Sequence, residues 1–182
     1  FLFVPGHESH GTHIKDGIDL KRTMFTVVIA MIPALLFGMW NVGHQHFLAI
    51  GEFTAMADGF MDKFMYGAIK VLPVVVVAYG VGLGIEFVIA IIQKHPVNEG
   101  FLVSGMLIPL IMPPAIPLWM VALATAFAVI LGKEAFGGTG MNILNVALIA
   151  RVFIFFAYPT YMSGDAVWVA GDASLFVDGF SG

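Results

Sequence analysis

The stretch Tyr66–Ile92, which reads YGAIKVLPVVVVAYGVGLGIEFVIAII, contains only two charged residues, Lys70 and Glu86. A helix of this length exceeds the roughly 20 apolar residues that cross the ~30 Å hydrocarbon core of a bilayer. Four further apolar stretches flank it, at residues 24–40, 101–112, 116–131 and 141–158. The sequence therefore predicts an all-α integral membrane protein with five transmembrane helices, of which the third is short and interrupted by proline.

The overall composition is typical of a protein that lies in lipid. Hydrophobic residues make up 59% of the 182-residue chain and charged residues only 11%, with a mean hydropathy of +0.94. Soluble domains carry about a quarter charged residues, so we expect a lipid bilayer around this chain. The net charge of −4 argues against a nucleic-acid partner, and the absence of cysteine excludes disulfides and thiolate metal sites.

The third apolar stretch is too short to cross a bilayer as a helix. At 1.5 Å per residue, residues 101–112 span only about 18 Å, and prolines lie within and after them, at positions 109, 113, 114 and 117. Proline breaks helices, and broken helices at membrane depth are tolerated where protein or a cavity satisfies the freed backbone. The pattern indicates a buried site in this region, or else a tight proline-rich hairpin between two spans.

The basic residues are distributed unequally between the two sides of the predicted spans. Five lie on one side, at positions 15, 21, 22, 94 and 133, whereas Lys63 lies on the other. Cytoplasmic loops carry the excess of Lys and Arg. We therefore expect residues 1–23 to be a cytoplasmic segment, 24–158 the transmembrane domain and 159–182 an extracytoplasmic segment. The chain starts at Phe1 and stops at Gly182 without a polar tail, and we expect it to be a fragment of a longer polypeptide.

Glu86 is the one acid within the predicted second span, where an ionisable group is a functional-site hypothesis by default. The position of Glu86 predicts a role in binding an ion or a quinone. The alternative is a glutamate whose side chain extends to the membrane interface and has no such role. Gly82 lies one helical turn earlier on the same face. Gly80 and Gly84 predict a small-residue packing face that lets another helix or a flat ligand approach. The predicted quinone and ion site consists of Gly82, Gly84 and Glu86.

A glycine-rich loop, GKEAFGGTGMNILN at residues 132–145, leads into the predicted fifth span. Glycine lets the backbone approach a ligand closely, and Asn142 and Asn145 fall three residues apart on one face of the predicted helix. Their carboxamides match the alternating C=O and N–H edge of a flavin pyrimidine ring. Ordinary helix capping by Asn142, with Asn145 bonded across helices, is the alternative. The predicted cofactor-binding set is completed by Lys133, Gly137, Gly138 and Gly140.

Arg151 lies inside the predicted fifth span, where an unpaired charge is costly, so we expect it to pair with an acid or with backbone carbonyls. The histidines before and after the first span have no acidic cluster beside them, so no metal site is predicted. The pattern contains no Ser-His-Asp or paired-carboxylate constellation, and no catalytic side chain is assigned.

Six segments, in their order along the chain, match the motifs of a known family. They are DGIDLKR at 16–22, KHPVNEGF at 94–101, PPAIPLW at 113–119, the glycine-rich loop and its continuation at 132–148, FFAYP at 155–159 and SGD at 163–165. With these motifs the chain resembles the B subunits of sodium-translocating NADH:quinone reductases over almost its whole length. The D subunit of the related Rnf complex shares the architecture and is the alternative, but the KHPVNEG string favours the quinone reductase.

The resemblance implies a fold and a set of cofactors. The five helices would be the first of two inverted five-helix repeats, in the bacterial cytoplasmic (inner) membrane and bound to the other subunits of the complex. Asn142 and Asn145 carry over as contacts of a non-covalent riboflavin. The region of Gly82 and Glu86 carries over as a place of quinone binding and cation passage. A second flavin, FMN, would be attached covalently to a threonine expected two residues beyond Gly182.

The resemblance also implies a function, in which electrons pass between the flavins to quinone and drive Na⁺ export. Val146 departs from the family's pattern, which has proline there, and this puts the fine geometry of the flavin loop in question. Two other functions fit the predicted fold. One is a passive channel or transporter built from inverted repeats, and the other is a scaffold that only anchors partner subunits.

Overall fold

A computed structural model describes the chain over residues 20–52, 55–93, 100–138, 141–164 and 167. These residues form five α-helices and two short 3₁₀ turns. The helices are α1 Leu20–Ile50, α2 Phe60–Gln93, α3 Phe101–Ile111, α4 Leu118–Gly132 and α5 Val146–Ala157, and the turns are Glu134–Phe136 and Pro159–Tyr161. The helices follow the predicted apolar stretches in order, which confirms an all-α integral membrane fold.

The helices differ in their ability to cross a bilayer. Three helical segments among the described residues are long and apolar enough to do so, at 21–50, 60–92 and 118–136. The helices α3 and α5 are apolar but have only 11 and 12 residues, which span roughly 17–18 Å. The short α3 was predicted by the sequence, but the predicted length of the fifth span, from 141 to 158, is wrong.

The helix α5 begins later than predicted because Asn145 is its N-cap. The Oδ1 atom of Asn145 accepts hydrogen bonds from the N–H groups of Ala147 (2.9 Å) and Leu148 (3.3 Å). Asparagine is among the most favourable N-cap residues, since its side chain satisfies N–H groups that have no acceptor within the helix. Asn142 therefore lies in the loop before α5 and not in its first turn.

The interior lies between α2, α4 and α5, and α3 packs against α1, α2 and α5. Small side chains let these helices approach closely. The interior carries fully buried alanines, among them Ala78, Ala124, Ala128 and Ala150. Large apolar side chains face outward on the long helices, such as Phe25 of α1, Ile91 of α2 and Leu131 of α4. This apolar exterior is what a lipid environment requires.

The end of α3, just before the irregular segment 112–117, is hydrogen-bonded to α5. The Nη1 atom of Arg151, near the middle of α5, donates to the carbonyl of Ile111, the last residue of α3. A helix that ends at membrane depth leaves its last carbonyl groups without donors, which is costly unless other protein groups satisfy them. Of the two predicted partners of Arg151, an acid or backbone carbonyls, the structure shows a backbone carbonyl.

Candidate functional site

A buried ion pair joins the glycine-rich loop to α2. Lys133, the residue that follows α4, places its Nζ against Oε1 of Glu86. The two side chains are only 5% and 4% exposed, and Oε2 of Glu86 has no hydrogen-bond partner among the described residues. Glu134 adds a second carboxylate oxygen 3.9 Å from the same Nζ. The site therefore holds one ammonium group between two carboxylates, with one buried carboxylate oxygen left over.

This ion pair brings together residues that the sequence assigns to two separate sites. Lys133 is predicted with the cofactor loop and Glu86 with the quinone and ion site, yet their charged ends meet. Removal of one member of a buried pair leaves an uncompensated charge in the interior, at a cost of ~3–5 kcal/mol. The conformation of the loop and the charge of the Glu86 carboxylate are thus coupled through this contact.

The glycines of α2 differ from their predicted arrangement. A Cβ at Gly82 would fall on the ring of Phe101, the first residue of α3, so close packing occurs at Gly82. Gly80 and Gly84 have no described neighbour within 4 Å of the corresponding position, and both are exposed. Within the described chain the close packing on α2 therefore occurs at Gly82, where the Phe101 ring lies, and the predicted packing face of Gly80 and Gly84 contacts no described residue.

The loop between α4 and α5 begins as a compact turn around Lys133. The carbonyl of Lys133 accepts a hydrogen bond from the N–H of Gly138 (3.0 Å). Gly137 and Gly138 have φ angles of 108° and 91°, a region that residues with a side chain rarely adopt. The turn therefore needs both glycines, and it fixes the backbone from which Lys133 reaches Glu86. Gly140, the third glycine of the predicted set, lies outside the described residues.

Asn142 and Asn145 are both exposed, and each uses one half of its carboxamide locally. The Nδ2 of Asn142 donates to the carbonyl of Leu144 (3.2 Å), and the Oδ1 of Asn145 caps α5. The predicted shared helical face is wrong, since α5 begins after Asn145. The hydrogen bonds of the described chain still leave one acceptor, Oδ1 of Asn142, and one donor, Nδ2 of Asn145, at the start of α5.

An apolar groove of about 640 Å³ runs along α5 from Asn145, and Phe127 of α4 also lines it. The rings of Phe127 and Phe153 stack there with centroids 4.4 Å apart, and Phe156 completes an aromatic wall. Ligand sites are typically apolar clefts of this size with a few polar groups that fix orientation. A groove with aromatic walls and a carboxamide at one end fits a flat, partly polar ring system such as a flavin.

The burial of Lys63 could not be predicted from the sequence. Its side chain is fully buried although it is charged, and its Nζ donates to the carbonyl of Ala55 (2.7 Å) in the loop before α2. The ammonium group therefore ties the end of this loop to the first turns of α2. The sequence shows only that Lys63 lies on the side of the membrane with few basic residues.

The chain matches the profile of the NQR2, RnfD, RnfE family over residues 7–182. It is 48% identical, over 202 aligned residues, to the B subunit of the Na(+)-translocating NADH-quinone reductase of Stutzerimonas stutzeri (strain A1501), with 100% of this chain and 49% of that protein covered. The B subunits of the same reductase from Ectopseudomonas mendocina (strain ymp) and Chromohalobacter salexigens are 47% and 43% identical, over 49% and 46% of their lengths and 100% and 94% of this chain.

These relatives confirm the resemblance to the B subunits and do not favour the Rnf alternative. The chain spans about half the length of the relatives that it matches. It is covered almost completely by the family profile, and its helices form the multi-pass membrane architecture that the resemblance implies. The chain therefore belongs to the NQR2, RnfD, RnfE family.

Proposed function

We propose that this chain is part of the B subunit of a sodium-translocating NADH:quinone reductase, in which electrons pass through flavins to quinone and drive Na⁺ export. The Lys133–Glu86 pair carries the proposal, because it connects the loop expected to hold a flavin to the glutamate expected to handle the ion. A purely structural contact would gain little from two charges here, since buried ion pairs are often no more stable than apolar packing. The names of the relatives support the same function.

Riboflavin is proposed to bind without a covalent bond at the start of α5. The free Oδ1 of Asn142 and Nδ2 of Asn145 offer the acceptor and donor that a flavin edge needs. The glycines at 137, 138 and 140 allow close approach of the backbone, and Lys133 anchors the start of the loop through its ion pair with Glu86. When bound, the flavin ring supplies one- and two-electron transfer. FMN is proposed to be held by a threonine expected two residues beyond Gly182.

Glu86 is proposed to act on the transported cation. Carboxylate oxygens are ligands that hard cations prefer, and Oε2 of Glu86 is available while Oε1 is held by Lys133. The Lys133 ammonium neutralises the buried carboxylate when Na⁺ is absent. Na⁺ must therefore compete with Lys133 for Glu86. Export of one charge against 100 mV costs ~2.3 kcal/mol, which the redox reaction supplies.

Quinone is proposed to bind on the exposed side of α2. Gly84 presents open backbone there, and the exposed apolar side chains of Phe87 and Val88 follow it. A flat ring can approach such a surface closely because glycine has no side chain in the way. Gly82 affects this site indirectly, since the ring of Phe101 covers it and a change at Gly82 displaces α3.

The chain is proposed to lie in the bacterial cytoplasmic membrane, with residues 1–23 inside and 159–182 outside, as the first of two inverted repeats. The basic residues that motivate this orientation lie mostly on one side of the spans. A reporter enzyme that is active only in the cytoplasm, fused after Gly182, should be inactive. An active fusion would show that the orientation is the reverse of the proposed one.

The purified complex that contains the full-length subunit provides the main test. It should contain extractable riboflavin and reduce quinone faster with Na⁺ than without. The Glu86→Gln variant leaves Lys133 without its main counter-ion, so it is measured per assembled complex. It should keep its riboflavin and lose the stimulation by Na⁺, because the carboxylate is no longer a cation ligand. A complex without flavin absorbance would support a passive transporter instead. Unchanged sodium dependence in the Glu86→Gln complex would show that Glu86 does not bind the transported ion.

A further inference from the structure

A cavity of about 470 Å³ lies far from the Lys133–Glu86 pair, where α1, α2 and the break between α3 and α4 meet. Lys70, which lines it, is 16 residues before Glu86 on α2, a distance of about 24 Å along a helix. This approaches the ~30 Å thickness of the hydrocarbon core. If Glu86 lies near one boundary of the membrane, the cavity therefore lies near the opposite one.

Aromatic residues at the same end of the bundle support this depth. The rings of Trp119, at the start of α4, and Tyr158, at the end of α5, meet edge to face with centroids 5.4 Å apart. Trp and Tyr are enriched where a membrane protein meets the headgroup layer. The cavity, which includes Leu118 beside Trp119, therefore opens toward the layer of lipid headgroups.

One ammonium group, that of Lys70, lies at the mouth of the cavity. The Nζ of Lys70 lies 5.8 Å from the centroid of the Tyr66 ring, and His46 stacks on the same ring with centroids 4.0 Å apart. The helix α4 begins at Leu118, so its first N–H groups and the positive end of its dipole are at the cavity wall. No Asp or Glu is among the described residues that line the cavity. On α2 the nearest acid, Asp62, is eight residues away, roughly 12 Å along the helix.

A smaller apolar slot lies next to the cavity. A second cavity of about 90 Å³ shares Val74 and Pro114 with the first and extends to Gly38 and Leu110. A Cβ at Gly38 would have no neighbour within 4 Å among the described residues, so this glycine leaves open space on α1. The combined shape has a cationic mouth at headgroup level and an apolar end that points into the membrane. This shape selects an amphiphile with an anionic head.

We propose that this cavity binds an anionic phospholipid, with its phosphate near Lys70 and the start of one acyl chain toward Gly38. A lysine ammonium is a common partner of phosphate, so Lys70 can hold the headgroup of such a lipid. A quinone head is neutral and would gain little from the cationic mouth. The site needs neither flavin nor Na⁺, so its test is independent of the electron-transfer function.

The test uses the purified complex, stripped of lipid in detergent and then titrated with phosphatidylglycerol or phosphatidylcholine. Bound lipid is counted by native mass spectrometry, and the melting temperature is recorded in parallel. The unaltered complex should retain phosphatidylglycerol and be stabilised by it more than by phosphatidylcholine. Lys70→Gln should weaken phosphatidylglycerol binding roughly tenfold, as expected for loss of one charge-assisted contact. Lys21→Gln, at the opposite end of the bundle, is the matched control and should bind as before.

A second variant tests the apolar slot. A Cβ at Gly38 meets no described atom within 4 Å, so we expect Gly38→Leu to fold and to bind phosphatidylglycerol several-fold more weakly. Equal binding of phosphatidylglycerol by the unaltered protein and by both variants would overturn the proposal. Equal stabilisation by glycerol phosphate, which has no acyl chain, would reduce the site to a phosphate site and contradict the lipid assignment. Displacement of the lipid by a short-chain quinone would assign the cavity to quinone instead.

Discussion

Gly43 of α1 and Gly67 of α2 occupy reciprocal positions at the crossing of the two longest helices. A Cβ at Gly43 would fall on the backbone carbonyl of Lys63 in α2, and a Cβ at Gly67 would fall on that of Met39 in α1. Each glycine thus makes room for the backbone of the other helix, as small residues do where membrane helices approach closely. The two positions together set the separation and the register of α1 against α2.

Gly43→Ala should therefore push α1 away from α2, because a helix backbone cannot move aside as a flexible side chain does. We expect a loss of stability of ~1–3 kcal/mol, the usual cost of overpacking, measured as a lower melting temperature of the complex in detergent. Gly38→Ala is the matched control on the same helix, since its Cβ would meet open space. Identical melting of the two variants would show that the crossing is not close.

Charge removal at Lys133 and Glu86 can separate folding from function. Lys133→Gln should reduce the amount of assembled complex, since Glu86 is then buried without its counter-ion, at a cost of ~3–5 kcal/mol. In the double variant Lys133→Gln, Glu86→Gln, both side chains are neutral and can still hydrogen-bond to each other. We expect this double variant to recover assembly but not sodium-dependent turnover, measured per assembled complex.

The control for the charge experiment is Glu134→Gln, because Glu134 is 3.9 Å from the Lys133 ammonium and is the more exposed of the two acids. It should change assembly and sodium dependence only slightly. Recovery of sodium dependence together with assembly in the double variant would mean that the Lys133–Glu86 pair is structural alone.

The two functions of Asn145 can be tested separately with aspartate and alanine. Asn145→Asp keeps the Oδ1 acceptor that caps α5 and removes the Nδ2 donor proposed to face the flavin. Asn145→Ala removes both, with a loss of ~1 kcal/mol of helix stability. Riboflavin per complex should fall in both variants, whereas the melting temperature should fall only with alanine. If the Asn145→Asp complex keeps its full riboflavin content, Asn145 caps α5 and does not contact the flavin.

Gly82 and Gly84 should respond differently to the same substitution. Gly82→Ala places a methyl group in the ring of Phe101 and should destabilise the α2–α3 packing by ~1–3 kcal/mol. Gly84→Ala meets open space and should keep or slightly raise stability, since alanine favours helix by up to about 1 kcal/mol over glycine. The quinone KM should rise in Gly84→Ala without a lower melting temperature. An unchanged KM would place quinone elsewhere.

The helices could be predicted from the sequence because a long apolar run in an uncharged region has few alternatives to a membrane helix. The start of α5 could not be predicted in the same way. An asparagine before an apolar run is compatible with a place inside the helix or at its N-cap, and only the hydrogen bonds of Asn145 to Ala147 and Leu148 decide between them. A shift of a few residues was enough to separate Asn142 from the helix.

The candidate site could be predicted only in part, since its key contact is tertiary. The sequence places Lys133 and Glu86 near the same side of the membrane, but they are 47 residues apart and nothing local indicates that α2 and α4 are neighbours. The packing of Gly82 was likewise invisible, because it depends on where the ring of Phe101 lies. The candidate side chains could be identified from their residue types. Which of them contact each other depends on how the helices pack.

The shortness of α5 has a consequence for biosynthesis. With 12 residues and Arg151 near its centre, α5 is a poor substrate for insertion by itself, since an arginine at the centre of a helix opposes insertion by ~2.5–3.5 kcal/mol. The carbonyl of Ile111 that receives its guanidinium belongs to α3 and is synthesised 40 residues earlier. We therefore expect α5 to leave the translocon only after α3 and α4 are in place, so that Arg151 enters the bilayer together with its acceptor.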